Sequence, residues 1–98
     1  MISMIKSFRD RHTEDVFRRR ATKRFGPETQ RAALRKLLQV DAATRLETLA
    51  VPPGNMLEQL KDDRLGQHSV RVNDQWRVCF VWRDGDAHEV ELVDYHRG

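Results

Sequence analysis

Residues 66–96 read GQHSVRVNDQWRVCFVWRDGDAHEVELVDYH. Three runs rich in β-branched and aromatic residues are separated by Asn73-Asp74 and by Asp84-Gly85-Asp86, and an Asp-Gly pair is a strong hairpin signal. The stretch therefore predicts an antiparallel meander. Its last strand is expected to carry Asp94-Tyr95-His96 to the edge of a small sheet.

The middle strand of this meander has two different faces. Its even-numbered residues are apolar, namely Trp76, Val78, Phe80 and Trp82. This face is expected to pack against helices. Arg77 points to the opposite face, where a charge in an apolar strand is costly unless it has a partner or meets a wet cleft. A structural ion pair and a functional cation both remain open for this arginine.

The beginning of the chain combines a short strand with a helix. Met4–Phe8 can form the strand, and Asp10 or Thr13 can cap a helix that ends in Arg18-Arg19-Arg20. The three arginines suit a solvated helix C-terminus, where cations complement the helix dipole. Contact with RNA phosphate or with an acidic partner is the alternative.

The clearest helix begins after Gly26, with Pro27 in its first turn. Its apolar face consists of Ala33, Leu34, Leu37 and Leu38. We expect a second helix after Val40, capped by Asp41, so that the two helices form a short hairpin across the sheet. The turn at residues 52–55 ends the helical half, and residues 56–61 can form a further strand.

The composition limits the class of protein. The 98 residues suit one domain, 1–98, and 18 Lys and Arg against 15 Asp and Glu give a formal net charge of +3. This balance favours a polyanionic partner such as nucleic acid. The lone Cys79 fits a reducing compartment, and neither a membrane-spanning run nor a signal peptide is present, so a cytoplasmic protein is expected.

The candidate chemical groups lie at the end of the meander. The four histidines and one cysteine lack the spacing of zinc ligands, so no metal or cofactor is predicted, and a mid-strand Cys79 is not expected to be a nucleophile. Acid-base work near neutrality suits His96, which is expected to share a strand face with Asp94. Lys61, Arg64 and Arg77 offer cations for a phosphate. These are the groups that RNA cleavage needs, although a terminal Tyr-His is also common in an ordered tail.

Several runs resemble the HigB branch of the RelE/ParE toxin superfamily. They are LKDDRLG (60–66), HSVRVNDQWRVCF (68–80), VDYH (93–96), MIKSF (4–8) and PPGN (52–55). The resemblance implies an α+β fold of the RelE/ParE kind, in which a short N-terminal strand and a C-terminal meander pack against two or three N-terminal helices. It also implies a toxin of a type II toxin-antitoxin system that cuts mRNA on the 70S ribosome without metal or cofactor. The implied partner is a HigA-type helix-turn-helix antitoxin. The toxin would reach operator DNA only when it is bound to this antitoxin.

The resemblance assigns roles by position. His96 matches the terminal acid or base, Asp94 and Tyr95 match its neighbours, and Lys61 and Arg77 match cations that hold the phosphate. Arg64 and Arg71 are further RNA-binding candidates. Some members carry a histidine three positions before the lysine, where this chain has Glu58, which can act as a base or repel the phosphate.

Two other functions fit the same sequence. One is a ParE-like inhibitor of gyrase without enzyme activity, and the other is a weakly active toxin that acts mainly as a co-repressor. A site role for Arg77 predicts that Arg77→Ala lowers cleavage and leaves the melting temperature within a few degrees.

Overall fold

A computed structural model describes residues 4–95, which form two helices and a four-stranded antiparallel sheet. The elements are α1 (Arg11–Phe17), α2 (Pro27–Ala42), β1 (Glu58–Gln59), β2 (Gln67–Arg71), β3 (Trp76–Arg83) and β4 (Asp86–Asp94). Short 3₁₀ helices occupy Leu46–Ala50, Pro53–Asn55 and Asp62–Arg64. The predicted α+β fold class is confirmed, and the strand order β1-β2-β3-β4 is that of the predicted meander.

The two hairpins of the meander form where the turn residues indicate. The Asn73 side-chain oxygen accepts hydrogen bonds from the backbone N–H groups of Gln75 and Trp76, at 2.9 and 2.8 Å. Asp84 and Gly85 have φ of 55° and 79°, the left-handed conformations that a two-residue hairpin turn requires. The first turn sets the register of β2 and β3, which pairs Arg71 with Arg77.

The N-terminal segment lies parallel to β4 and touches it at two isolated bridges, Ile5 with Ala87 and Phe8 with Val90. The predicted strand at Met4–Phe8 is therefore a pair of bridges. The Asp41 carboxylate anchors its start by accepting hydrogen bonds from the Met4 and Ile5 N–H groups, each at 3.0 Å.

The prediction of a second helix capped by Asp41 is wrong. Asp41 lies inside α2, which continues for 16 residues, and the next apolar contacts come from the 3₁₀ helix Leu46–Ala50. The physical reason is that Val40 is fully buried and extends the apolar stripe of α2 by another turn. Since the Asp41 carboxylate is bound to the N-terminal segment, it is not available as a helix cap. The partner of α2 is α1, so the predicted helical hairpin after Val40 does not form.

The first helix is capped by Asp10, whose carboxylate accepts a hydrogen bond from the Thr13 N–H at 2.6 Å. Thr13 was the other candidate cap, but its side chain is buried and has a different role. Its hydroxyl oxygen accepts a hydrogen bond from the Leu92 N–H on β4 at 2.9 Å, which ties α1 to the sheet.

The core lies between the helices and one face of the sheet. Val78 and Phe80 are fully buried there, and the Trp76 ring meets Phe25 edge-on at a centroid distance of 5.1 Å. This confirms the predicted apolar face of β3, although Trp82 is only partly buried. No helix between residues 4 and 95 has the length and apolar character that crossing a bilayer requires.

A buried asparagine joins the 3₁₀ helix Pro53–Asn55 to α2 and to the 3₁₀ helix Leu46–Ala50. The Asn55 side-chain amide donates to Gln39 Oε1 at 2.9 Å and to the Leu49 carbonyl at 3.1 Å. Its oxygen accepts from the Lys36 ammonium at 2.6 Å. Asn55 is fully buried, so its polar atoms depend on these partners.

We expect Asn55→Ala to lower the free energy of unfolding by about 2–3 kcal/mol, because it leaves buried carbonyl groups without donors. Gln39→Ala is the matched control. It removes one partner and leaves Asn55 the Leu49 carbonyl as acceptor, so its cost should be below about 1 kcal/mol. Urea unfolding measures the free energy of unfolding of both variants. Equal losses in the two variants would show that Asn55 is no more important to stability than its single partner Gln39.

Candidate active site

A depression of about 360 Å³ opens beside β1, at the edge of the sheet. It is bordered by β1, the loop after it and the end of the chain segment that follows β4. The lining residues are Glu58, Gln59, Leu60, Lys61, Asp62, Arg64 and Tyr95. Four of the residues singled out from the sequence are therefore neighbours, although 34 positions separate Lys61 from Tyr95 in the chain.

Arg77 lies beneath this depression and is 5% exposed. Its guanidinium donates to the Ser69 hydroxyl oxygen at 2.7 Å and to the Met56 carbonyl at 2.5 Å. The same group forms an ion pair with Glu58 at 3.2 Å and stands 5.4 Å from the centre of the Tyr95 ring. The structural ion pair that the sequence left open for Arg77 is therefore present, and its partner Glu58 lines the depression.

The chain adopts an unusual local backbone to create these contacts. Met56 has φ 46° and ψ 56°, a left-handed conformation that is uncommon for a residue with a side chain. Its carbonyl accepts the Arg77 hydrogen bond just before β1 begins. Because β1 has only two residues, this contact and the Glu58 ion pair hold the strand at the sheet edge.

The other two cations differ in how tightly they are held. Arg64 donates to Gln67 Oε1 and to Glu91 Oε1, each at 3.1 Å. Lys61 is exposed, and its ammonium makes no ion pair with any residue from 4 to 95. Lys61 is therefore the cation that can move to meet a ligand, whereas Arg64 and Arg77 provide fixed charge.

Asp94 and Arg71 lie outside the depression. Asp94 is opposite Trp76 in the register, and its carboxylate accepts a hydrogen bond from the Gln75 side chain at 3.1 Å. Tyr95, and not Asp94, borders the depression. Arg71 shares the face of Arg77 but is paired with Asp74 in the β2–β3 turn, outside the depression. His96 lies outside the described residues.

Ser69 and the Met56 carbonyl are site residues that the sequence prediction missed. Ser69 is fully buried, and its hydroxyl orients the Arg77 guanidinium. A signal for it exists, because a turn centred on Asn73-Asp74 places Ser69 opposite Cys79 and on the same face as Arg77. The contribution of the Met56 carbonyl depends on backbone geometry, for which the sequence offers no signal.

The depression combines cations with carboxylates. Lys61 and Arg64 line it together with Glu58 and Asp62, and the buried Arg77 adds a third cation, which is paired with Glu58. Cations of this kind stabilise the charge of a phosphate as it reacts. In the part of the chain that the structure describes, no three His, Cys, Asp or Glu side chains are grouped as metal ligands.

The buried contacts of Arg77 change what its replacement should do. Arg77→Ala leaves the Ser69 hydroxyl and the Met56 carbonyl without a donor, so we expect a loss of about 2–3 kcal/mol of unfolding free energy. That loss corresponds to a fall of roughly 10 °C or more in melting temperature for a domain of this size. The sequence led us to expect that Arg77→Ala changes the melting temperature by only a few degrees, and these buried contacts do not fit that expectation. Arg71→Ala is the control, since the exposed ion pair of Arg71 with Asp74 contributes little to stability. Equal melting temperatures for Arg77→Ala and Arg71→Ala would contradict a structural role for the buried Arg77 contacts.

Cys79 is the neighbour of this site that should stay inert. Burial raises the pKa of its thiol to about 11, so the reactive thiolate is scarce at physiological pH. We expect a thiol-specific chromogenic reagent to label the native protein slowly at pH 8 and the urea-unfolded protein at once. Rapid labelling of the native protein would show that Cys79 is accessible and reactive.

Comparison with known proteins identifies the family of the chain. Residues 6–96 match the family described as RelE-like toxin of type II toxin-antitoxin system HigB. The chain is 38% identical over 85 residues to Toxin HigB-1 of Vibrio cholerae serotype O1, which covers 86% of this chain and 90% of that protein. It is 31% identical over 93 residues to Endoribonuclease HigB of Proteus vulgaris, which covers 95% of this chain and 100% of that protein. The chain therefore belongs to the HigB family of RelE-like toxins of type II toxin-antitoxin systems.

Proposed function

We propose that this toxin is an endoribonuclease that cuts mRNA on the ribosome and so inhibits translation. The observation that carries the proposal is the buried Arg77 beneath a depression bordered by Lys61, Arg64 and Tyr95. Together these residues offer three cations for a phosphate and one ring for a base. The name of the Proteus vulgaris relative, Endoribonuclease HigB, supports the same activity.

The proposed reaction is a metal-independent transfer of the phosphodiester within the RNA. The 2′-hydroxyl oxygen attacks the phosphorus while a base takes its proton. The bond from phosphorus to the 5′-oxygen breaks, and an acid gives that oxygen a proton. Lys61, Arg64 and Arg77 stabilise the extra negative charge on the phosphorus-bound oxygens, and Tyr95 packs against a nucleotide. Arg71 contacts RNA outside the depression.

His96 is the proposed acid, because imidazole exchanges protons near neutrality and the family resemblance assigns the terminal histidine this role. Asp94 is proposed to hold the chain end in place through its hydrogen bond to Gln75. Glu58 is the proposed base, since its carboxylate is about half exposed and reaches the wall of the depression. It replaces the histidine that some relatives carry at this position.

A second candidate function rests on the same ion pair. The Glu58 carboxylate neutralises part of the Arg77 charge, which weakens the attraction for a phosphate. A toxin with low activity that acts mainly as a co-repressor with its antitoxin would have this arrangement. The ParE-like inhibition of gyrase has no comparable observation in its favour.

The proposed partners follow from the toxin-antitoxin family. The antitoxin is proposed to be of the HigA type, with a helix-turn-helix domain that carries the pair to operator DNA. The ribosome and its mRNA are the proposed target, and the cytoplasm is the proposed location, in a single domain that spans residues 1–98.

We expect His96→Ala to reduce cleavage of a translated reporter mRNA by at least about 100-fold, in keeping with loss of a general acid. Glu58→Gln should also reduce cleavage, because a side-chain amide cannot take the proton of the 2′-hydroxyl. Glu89→Gln, an exposed carboxylate on β4 away from the depression, is the control. Primer extension on the reporter measures all three variants, with circular dichroism to check folding.

Other outcomes would replace the proposal. Faster cleavage by Glu58→Gln would mean that the carboxylate only repels the phosphate, and would favour the weakly active co-repressor for the wild-type chain. Accumulation of cleaved DNA without cleaved mRNA would support gyrase inhibition. Unchanged cleavage by a folded His96→Ala variant would exclude His96 as the acid.

A further inference from the structure

A second concavity lies on the other side of the sheet, between the end of α1 and the first turns of α2. It measures about 560 Å³ and is larger than the depression at the sheet edge. Val16 lies at its base and is 3% exposed, with Leu34 half-buried and Ala21 exposed beside it. We call this concavity the α1–α2 groove. Its base is apolar and open to a partner of matching shape.

Arginines surround this apolar base. Arg19, Arg20 and Arg31 all line the groove and are exposed. Arg20 is paired with Asp15 at 3.5 Å. Within the described part of the chain, Arg19 and Arg31 form no ion pair, so their charges are available to a ligand. The groove therefore offers positive charge around an apolar centre.

Arg19 stands at the end of α1 in a left-handed backbone conformation. Arg19 has φ 58°, at the point where the Arg19 N–H bonds the Val16 carbonyl and the Arg20 N–H bonds the Asp15 carbonyl to end α1. Glycine is the residue that fits such a helix end without strain. An arginine in this conformation is strained relative to glycine.

The groove suits an acidic protein segment better than RNA. The helices cover the face of Trp76, Val78 and Phe80, whereas Arg77 and the proposed RNA site lie on the opposite face. Among its described lining residues there is no aromatic ring on which a base could stack. An amphipathic helix with acidic flanks matches both the apolar base and the cationic surround.

We propose that the α1–α2 groove binds an acidic amphipathic segment of the antitoxin. Its apolar side chains would cover Val16 and Leu34, and its carboxylates would pair with Arg19 and Arg31. The inference depends on membership of a toxin-antitoxin family and not on the proposed nuclease activity. It predicts that the antitoxin can be bound while the RNA site stays uncovered, because the two surfaces lie on opposite faces of the sheet.

The test measures the affinity of the full-length chain for the full-length cognate antitoxin by calorimetry. We expect the charge-reversal pair Arg19→Glu with Arg31→Glu to weaken binding roughly 10- to 100-fold and to reduce its dependence on salt. Ala21→Phe, which fills the groove without changing charge, should also weaken it at least about tenfold. The matched control is Arg83→Glu. Arg83 is an exposed arginine at the end of β3. The hairpin turn that follows it approaches Thr44, which lies just past the C-terminal end of α2, whereas the groove is at the N-terminal end of that helix.

The outcomes separate the inference from the proposed function. Binding within about twofold of the wild type for both the charge-reversal pair and Ala21→Phe overturns the inference, whatever the nuclease assay shows. Loss of ribosome or RNA binding in the pair, with antitoxin affinity intact, would make the groove a nucleic-acid surface and would also overturn it. If cleavage fails in every assay while the two groove variants lose the antitoxin, the inference stands and the nuclease proposal fails. Growth arrest that co-expressed antitoxin no longer rescues would support the inference in cells.

Discussion

The burial of one charged side chain, Arg77, is the constraint on which the rest of the site depends. The guanidinium contacts Ser69 on β2, Glu58 on β1 and the Tyr95 ring after β4. A charge that is 5% exposed is costly unless donors and counter-charge surround it, so these partners are required for the fold as well as for the site. A two-residue β1 is too short to be held by its own ladder alone. One arginine therefore connects all four strand segments on the open face of the sheet.

The two faces of the sheet have separate roles because of the alternation along β3. One face places Val78 and Phe80 under the helices, and this apolar contact stabilises the domain. The helices do not cover the other face, where Arg77 and Ser69 are buried and a charged ligand can reach the exposed Glu58 and Lys61. The N-terminal segment and α1 are fastened to β4 by backbone bridges and by the Thr13 hydroxyl. The helical side can consequently meet one partner while the open side meets another.

Much of the fold was predictable because local signals agreed with the tertiary contacts. The alternating pattern of β3, the Asp84-Gly85 turn and the Pro27 start of α2 all led to correct elements. The prediction failed at Asp41, where a residue that suits a helix cap binds the distant N–H groups of Met4 and Ile5. No local pattern reports a hydrogen bond between positions that are 36 residues apart.

For the site, the sequence by itself determined the kinds of chemical groups and the family. Lys61, Arg64, Arg77 and Tyr95 were identifiable as residue types, and three of these four line one depression with Arg77 beneath it. Only the tertiary structure decided which of them act together. Strand register put Tyr95 above Arg77 and Asp94 outside the depression, since neighbouring residues of a strand point to opposite faces. It also decided that Arg77 is buried and that Glu58 is its counter-charge, because burial depends on contacts between segments that are distant in the chain.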